Sequence, residues 1–425
     1  MTASPNLGSI SDSNPQPNAT LLSHLRANPG LFASLIFLSL LGLLLLPFHL
    51  NLGLGFVLLA TTTGLFRLPF RWDPLTRRKF RRFRQIKRGY FSFLLLSSIC
   101  ILSLFAEAFI NNRALIVRHE GRFYFPFLSE VYLGNTFGLI GSEAFTPTNY
   151  RNLKGHWKES QAESWILMPW IPYSPNENNP FEGVLKPRPP SPQAQHYLGT
   201  DSTGRDILAR LVYGFRTAIF FAFAFTILTY AIGIFVGCLI GYFGGWLDLL
   251  GQRLIEIWSN VPFLYTVIIA FSVIPSSYSV TIRITLLLTI MVLFSWTSMT
   301  YYMRTATLRE RERDYAAAAR VIGASPARII FRHILPNTIA TIITFVPFTV
   351  IGAITAITAL DFLGFGLPPP TPSLGELLRQ GTSRLDAWWI VSSAFFALVV
   401  LLTIITFVGE AIREAFDPKQ HSTYE

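Results

Sequence analysis

The apolar runs of this chain constrain its fold more than any other feature. They lie near residues 31–48, 52–66, 90–110, 215–243, 260–275, 281–303, 337–360 and 389–411, and several reach the ~20 residues with which a helix crosses a ~30 Å hydrocarbon core. Over 425 residues the chain is 51% hydrophobic and only 14% charged, with a mean hydropathy of +0.42. That composition leaves the soluble globular class. The expectation is an all-α polytopic membrane protein with helical spans rather than barrel strands.

Charge then sets direction. The formal net charge is +11, but the Arg and Lys residues stand beside apolar runs, where a topology signal is a simpler reading than nucleic-acid binding. Residues 67–89 carry ten Arg or Lys against the single acid Asp73, which makes this segment cytoplasmic. The first core span, 90–110, then runs outward and delivers 111–196 to the far side as an ordered external insert with eight basic and seven acidic residues. Residues 197–418 hold the rest of the core. Crossing parity returns 304–336 to the cytoplasm, where seven arginines outnumber three acids. Both termini are expected on that side. Residues 1–30 and 419–425 read as tails, the former rich in Ser, Pro and Asn, and 31–66 as an extra hydrophobic hairpin broken at "FHLNLG". Cys100 and Cys238 both lie in apolar runs, so neither a disulfide framework nor a metal cluster is expected.

The loop at 304–336 contains "RERDYAAAARVIGASPARIIFRHILPN". After Asp314, residues Tyr315, Ala318, Ala319 and Ile322 recur at i, i+3, i+4 and i+7, the spacing of one helical face. Gly323 stands where a helix ends in a left-handed residue. Ser325 and Pro326 then supply an N-cap and a first helical position. The spacing predicts a helix-turn-helix knuckle with a small apolar face. A second stretch, "HYLGTDSTGRDILARLVYGFRTAI", predicts a helix capped by Thr200 or Asp201. Its residues Ile207, Leu208, Leu211 and Val212 would share a face, and Asp206 and Arg210 would form an i,i+4 pair. Such a helix could be a structural element at the membrane surface or a substrate contact.

These two stretches, with "GYFGGWLDLLGQRLIEIWSNVPFL", "LDFLGFGLPPPTPSLGELLRQG" and "RALIVRHEGRFYFP", resemble permeases of binding-protein-dependent ABC importers of the dipeptide and oligopeptide class, Yej-type permeases above all. The family's coupling-loop pattern is Glu-Ala-Ala, three residues, then Gly, with a later helix ending in Pro. Ala318, Ala319, Gly323 and Pro336 match it, while Ala317 stands where the pattern has Glu. The resemblance covers roughly 76–418 and implies a type I core of six helices, so the leading hairpin is a departure. It also implies a second homologous permease, two ATPase subunits or domains, an external substrate-binding protein, and a bacterial inner-membrane location. It marks Asp314, Tyr315, Ala318, Ala319, Ile322, Gly323 and Pro336 as the coupling surface. Gly199, Thr200, Asp201, Gly204, Arg205 and Asp206 form a family signature.

No cofactor site is expected in this chain. A P-loop ends its glycine-rich turn in Gly-Lys, and no Gly-Lys pair occurs in the sequence, so ATP and Mg would be bound by the partner ATPase subunits. The expectation is a non-catalytic permease subunit for peptides or peptide-like compounds. An ion-coupled transporter would show ionisable residues inside its spans, which are almost absent from the core runs. A membrane-embedded hydrolase would need a nucleophile with a base, or a motif such as H-E-x-x-H. "HEGRF" lacks the second His.

Overall fold

The computed structural model describes residues 74–416, apart from 129–130, 161–162, 181–182 and 185, together with Ser39. The expected tails, the hairpin at 31–66 (Ser39 aside) and residues 67–73 of the basic segment lie outside the described residues.

Helix α1 (Pro74–Gln85) leads through a break at Ile86 into α2 (Lys87–Leu104). The segment that follows holds strands β1 (Ile116–His119) and β2 (Arg122–Tyr124), helix α3 (Tyr150–Glu159) and strand β3 (Trp165–Leu167). The rest is helical: α4 (Ile207–Phe243), α5 (Gly245–Ser259), α6 (Phe263–Ser272), α7 (Val280–Arg311), α8 (Asp314–Val321), α9 (Pro326–Leu363), α10 (Leu374–Ser383) and α11 (Trp388–Phe416).

Helices α2, α4, α7, α9 and α11 are long and apolar enough to cross a membrane, and α5 with α6 would make a sixth span, bent by 73°. The expected span at 260–275 is corrected here. Helix α6 has ten residues, about 15 Å of rise, half a bilayer core. Packing between α4 and α7 shows why the bent pair nonetheless crosses. A Cβ built on Gly233 would lie 2.7 Å from Met299 Cβ, one on Gly237 2.8 Å from Met303 Cβ, and one on Gly241 2.9 Å from Thr307 Cβ. The numbering rises together along both helices, so they run parallel. The chain leaving the end of α4 must therefore return the length of the bundle before α7 begins, and α5 and α6 make that return. Glycines four apart let the two backbones approach closely, the small-residue packing that replaces a hydrophobic driving force in lipid. The bend falls at Val261–Pro262, where Pro262 is the N-cap of α6 and has no amide proton to continue the helix before it.

A second correction concerns α4. The helix expected at the membrane surface and the span at 215–243 are one 37-residue helix. It is capped by Asp206, whose carboxylate accepts from Ala209 N at 2.8 Å, and not by Thr200 or Asp201. An N-cap accepts from the amide two or three residues on, and only Asp206 stands that close.

The basic segments share one end of the bundle. Phe83 of α1 packs against Ala411 and Ala415 of α11, and Arg88 lies 3.5 Å from Glu410. Tyr242, at the end of α4, packs against Ala316 and Ala319 of α8. Helix α11 runs back along α9, with Gly409 against Pro347 and Phe348, so its C-terminal end returns to the start of α9.

At the opposite end sits the segment between α2 and α4. The all-α expectation holds for the bundle, and among the described residues the sheet is confined to this insert. Its strand order is β2-β1-β3, both pairs antiparallel. Val117 pairs with Tyr124 and Ile166, and all three turn toward Phe137, Tyr150 and Leu153. Phe137 meets Tyr124, Tyr132, Tyr150 and Trp157 edge-on at 5.3–6.3 Å, the preferred geometry of aromatic quadrupoles.

Candidate functional site

The knuckle is assembled from local backbone preferences and then pinned by tertiary contacts. Helix α8 ends in a Schellman turn: Gly323 N donates to Arg320 O and Ala324 N to Ala319 O, both at 3.0 Å, with Gly323 at φ +81°. That conformation costs an L-residue with a Cβ free energy and costs glycine little. Ser325 then accepts from Arg328 N at 3.4 Å, and Pro326 opens α9. A π-helical turn, Ile329–Ile334, follows before the regular helix resumes at Leu335.

Ala316, Ala319, Ile329 and Ile334 are buried together, with Tyr242, Tyr315 and Ala324 against them. The Tyr315 hydroxyl donates to Glu310 Oε2 at 2.9 Å. Burial, and then this hydrogen bond, raise its pKa above the ordinary tyrosine value, so it stays a donor at neutral pH. Arg311 Nη1 donates to Tyr242 O at 3.1 Å and Arg320 Nη2 to Arg311 O at 2.9 Å. Arg304 forks onto Asp248 of α5, with Nη2 to Oδ2 at 2.8 Å.

The expected single face of Tyr315, Ala318, Ala319 and Ile322 is divided. Tyr315 and Ala319 turn inward, whereas Ala318 is exposed and Ile322 is 85% exposed. The inward stripe runs through Ala316 and Ala319, because α8 docks on Tyr242 and on Ile329 and Ile334 of α9 rather than on lipid. Ile322 is the C-cap, past the last helical turn. Val321, which periodicity did not mark, is 89% exposed, and with Ile322 and Gly323 it forms the apolar tip. Asp314 is exposed in the first turn of α8, and Pro336 is exposed near the start of the regular part of α9.

The signature residues meet at the other end, in a buried ionic cluster. Asp201 Oδ1 accepts from Thr203 N at 2.9 Å and from Arg205 N at 3.0 Å. Arg205 donates from Nε to Asp201 at 2.8 Å and from Nη2 to Glu376 at 2.9 Å. Burial opposes the Arg205 charge, but the Asp201 and Glu376 carboxylates outweigh it and hold its pKa above the ordinary value. Asp206 does not pair with Arg210 but with His196 Nδ1 at 2.8 Å, and Tyr173 stacks on that imidazole at 4.0 Å. Arg210, 0% exposed, bonds Glu376 Oε2 and donates to Pro175 O at 3.0 Å. The expected i,i+4 pair does not form because Asp206 gives Oδ1 to the Ala209 amide as the cap and Oδ2 to His196. Gly199 and Gly204 take φ of +79° and +80°, and a Cβ on Gly204 would lie 2.5 Å from Asn179 O. The signature thus ties the insert, the start of α4 and α10 into one clamp. Glu376, its central acceptor, was missed from the sequence. The available signal was Arg210, an arginine just before the apolar run at 215–243, whose charge needs a partner once its helix is continuous with that span.

Two comparisons place this architecture. The family model for the binding-protein-dependent transport system inner membrane component matches residues 233–422, a range that includes the knuckle and leaves the signature outside. The inner membrane ABC transporter permease protein YejE of Escherichia coli K12 is 39% identical over 352 residues, 82% of this chain and 99% of its own. The chain belongs to this ABC transporter permease family. YejE of Agrobacterium fabrum C58, a peptidoglycan transport system permease protein, is 38% identical over 371 residues, 82% of this chain and 94% of its own. The dipeptide transport system permease protein DppC of Haemophilus influenzae Rd is 35% identical over 257 residues, 60% and 85% of the two chains. The permease is a multi-pass inner-membrane protein, and its knuckle and clamp stand at opposite ends of the bundle.

Proposed function

We propose that this chain is the non-catalytic membrane subunit of an ABC importer that carries peptides or peptide-like compounds. ATP hydrolysis in two separate ATPase subunits or domains, which hold ATP and Mg, drives it. A second homologous permease completes the pathway, and an external binding protein delivers cargo. The observation that carries the reading is the apolar tip of Val321 and Ile322, exposed on a knuckle whose other side is anchored to α4, α7 and α9. A rigid, exposed, small apolar tip is what a partner's groove can grip. Movement of the ATPases would then reach the spans through Arg304, Arg311 and the α9 continuation, as a rigid-body transition. Peptide as cargo is supported by the relatives named for dipeptide and peptidoglycan transport.

Orientation follows from charge. Helix α1 and the knuckle lie at one end and carry an excess of arginine, which the positive-inside rule assigns to the cytoplasm. The C-terminal end of α11 lies there too, and a hairpin at 31–66 would bring the N-terminus to the same side. The insert would then face outward, where it can meet a binding protein.

Two experiments test this. Purification with native partners should recover ATPase subunits and a binding protein whose ligand, by mass, is a peptide. A complex without ATPase, or a bound ligand with no peptide bond, would overturn the reading. In a background lacking Cys100 and Cys238, Ile140→Cys should react with an impermeant maleimide in intact cells and Val321→Cys should react only after permeabilisation. Both positions are highly exposed, at 90% and 89%, so a reversed pattern would invert the orientation rather than report burial.

A further inference from the structure

Helix α1 presents an exposed basic face at the foot of the first span. Its sequence, PLTRRKFRRFRQ, holds six Arg or Lys and no acid, and Lys87 and Arg88 carry the run into α2. Phe83 packs on Ala411 and Ala415, and Lys79 lies over the Phe416 ring at 5.0 Å. That docking leaves Arg78, Arg81 and Arg84, at i, i+3 and i+6, exposed. The Arg84 guanidinium lies 5.6 Å from the centre of the Tyr90 ring, which draws it to the turn that carries Lys87 and Arg88. Of Arg78, Arg81, Arg84, Lys87 and Arg88, only Arg88 has a described carboxylate within ion-pair distance, Glu410 at 3.5 Å.

The face of α2 that begins with these charges continues as an apolar stripe. Phe91, Leu95 and Leu102 follow Lys87 at i+4, i+8 and i+15, within a sector of roughly 100° at 3.6 residues per turn, and all three are exposed. Helix α2 is also the least buried of the five long spans, with 17% of its apolar window covered by the rest of the chain. Lys87 and Arg88 stand within ~5 Å of axial rise of Tyr90, where the apolar run begins, so they fall in the headgroup layer that flanks a ~30 Å core. Cations at headgroup depth with an apolar stripe directly beyond them match the outline of a phospholipid. An acidic surface of a soluble partner would meet the charges and leave the stripe uncovered.

We propose that the α1–α2 junction binds an anionic phospholipid, its phosphate held by Arg84, Lys87 and Arg88 and its acyl chain laid along Phe91, Leu95 and Leu102. The placement in the cytoplasmic leaflet rests on the orientation given above. Selectivity follows from charge. A zwitterionic headgroup carries its own cation, which this cluster repels, whereas a phosphatidylglycerol headgroup brings one uncompensated negative charge. Arg78 and Arg81 extend the basic face along α1 and add attraction without a fixed contact. Because Arg88 also reaches Glu410 of α11, the lipid sits where α1, α2 and α11 meet.

The test uses the complete importer, purified with its native partners into nanodiscs of equal parts dioleoylphosphatidylglycerol and dioleoylphosphatidylcholine. After transfer to mild detergent, the lipids that stay on the permease are counted by mass spectrometry. Each basic side chain near an anionic surface adds about fivefold in affinity, so phosphatidylglycerol should be enriched at least tenfold over phosphatidylcholine. Arg81→Gln, Arg84→Gln and Lys87→Gln together should bring the two lipids near parity, while Arg81→Lys with Arg84→Lys should keep the enrichment. Membrane abundance should hold in both variants, because all three side chains are exposed. Equal retention of the two lipids by the unsubstituted protein, or enrichment unchanged by the glutamines, would overturn the proposal. Release of the lipid by potassium phosphate but not by potassium chloride of equal ionic strength would also overturn it, in favour of a soluble phosphate. Loss of ATPase subunits from the glutamine variant with its lipid retained would assign the face to a protein partner instead. Nanodiscs expose both membrane faces, so lipid retention is read independently of orientation: an inverted maleimide pattern with enrichment intact would overturn the orientation and leave the lipid site standing.

Discussion

Glu376→Ala should remove most of the permease from the membrane. Glu376 is the acceptor that Arg205 and Arg210 share, and Arg210 is fully buried. Truncating one partner of a buried pair leaves an uncompensated charge, a loss of about 3–5 kcal/mol. Glu376 is 20% exposed at its side chain and Asp201 lies 3.6 Å from Arg210 Nε, so the lower end of that range applies. The measurements are membrane abundance and the midpoint of heat inactivation in detergent. The double variant Glu376→Gln with Arg210→Met should recover much of the loss. Methionine fills the volume without a charge, and glutamine still accepts from Arg205. If Glu376→Ala matched the unsubstituted protein in both measurements, the clamp would not hold the insert, α4 and α10 together.

Gly323→Val should insert normally and fail to couple. At φ +81° with open space around it, the glycine is required by backbone conformation and not by crowding. A β-branched residue there is strained by about 1–2 kcal/mol, which the turn would relieve by leaving the left-handed region and re-aiming Val321 and Ile322. That is small against the burial of the spans but amounts to a 5- to 30-fold shift in an equilibrium. ATPase co-purification and uptake should fall by about that factor at normal abundance, with Gly323→Ala milder. Ile322→Asp supplies an independent check, since it changes only an exposed surface and leaves the turn intact. A well-expressed Gly323→Val protein with normal ATPase association and uptake would sink the coupling assignment. Abundance and uptake falling together would make the turn structural.

What was legible in advance follows the range of the physics involved. Apolar length against bilayer thickness is a property of each segment alone, so five long spans and the knuckle between two of them could be read directly. The Gly323 cap and the Ser325–Pro326 start were equally local, because a φ preference or a cap concerns a few adjacent residues. The glycine spacing at 233, 237 and 241 was present too, although only contact with α7 shows which helix it admits.

Tertiary structure decided the rest. In a sequence this apolar, periodicity does not distinguish a face that meets another helix from one that meets lipid or a partner. The stripe of α8 was therefore divided by the docking of Tyr242, Ile329 and Ile334, and Val321 emerged at the tip. The bent crossing at α5 and α6 required knowing that α4 and α7 run parallel. Arg210 found its acceptor 166 residues away in α10, beyond any local pairing rule, because a buried charge takes whichever counter-charge the fold delivers.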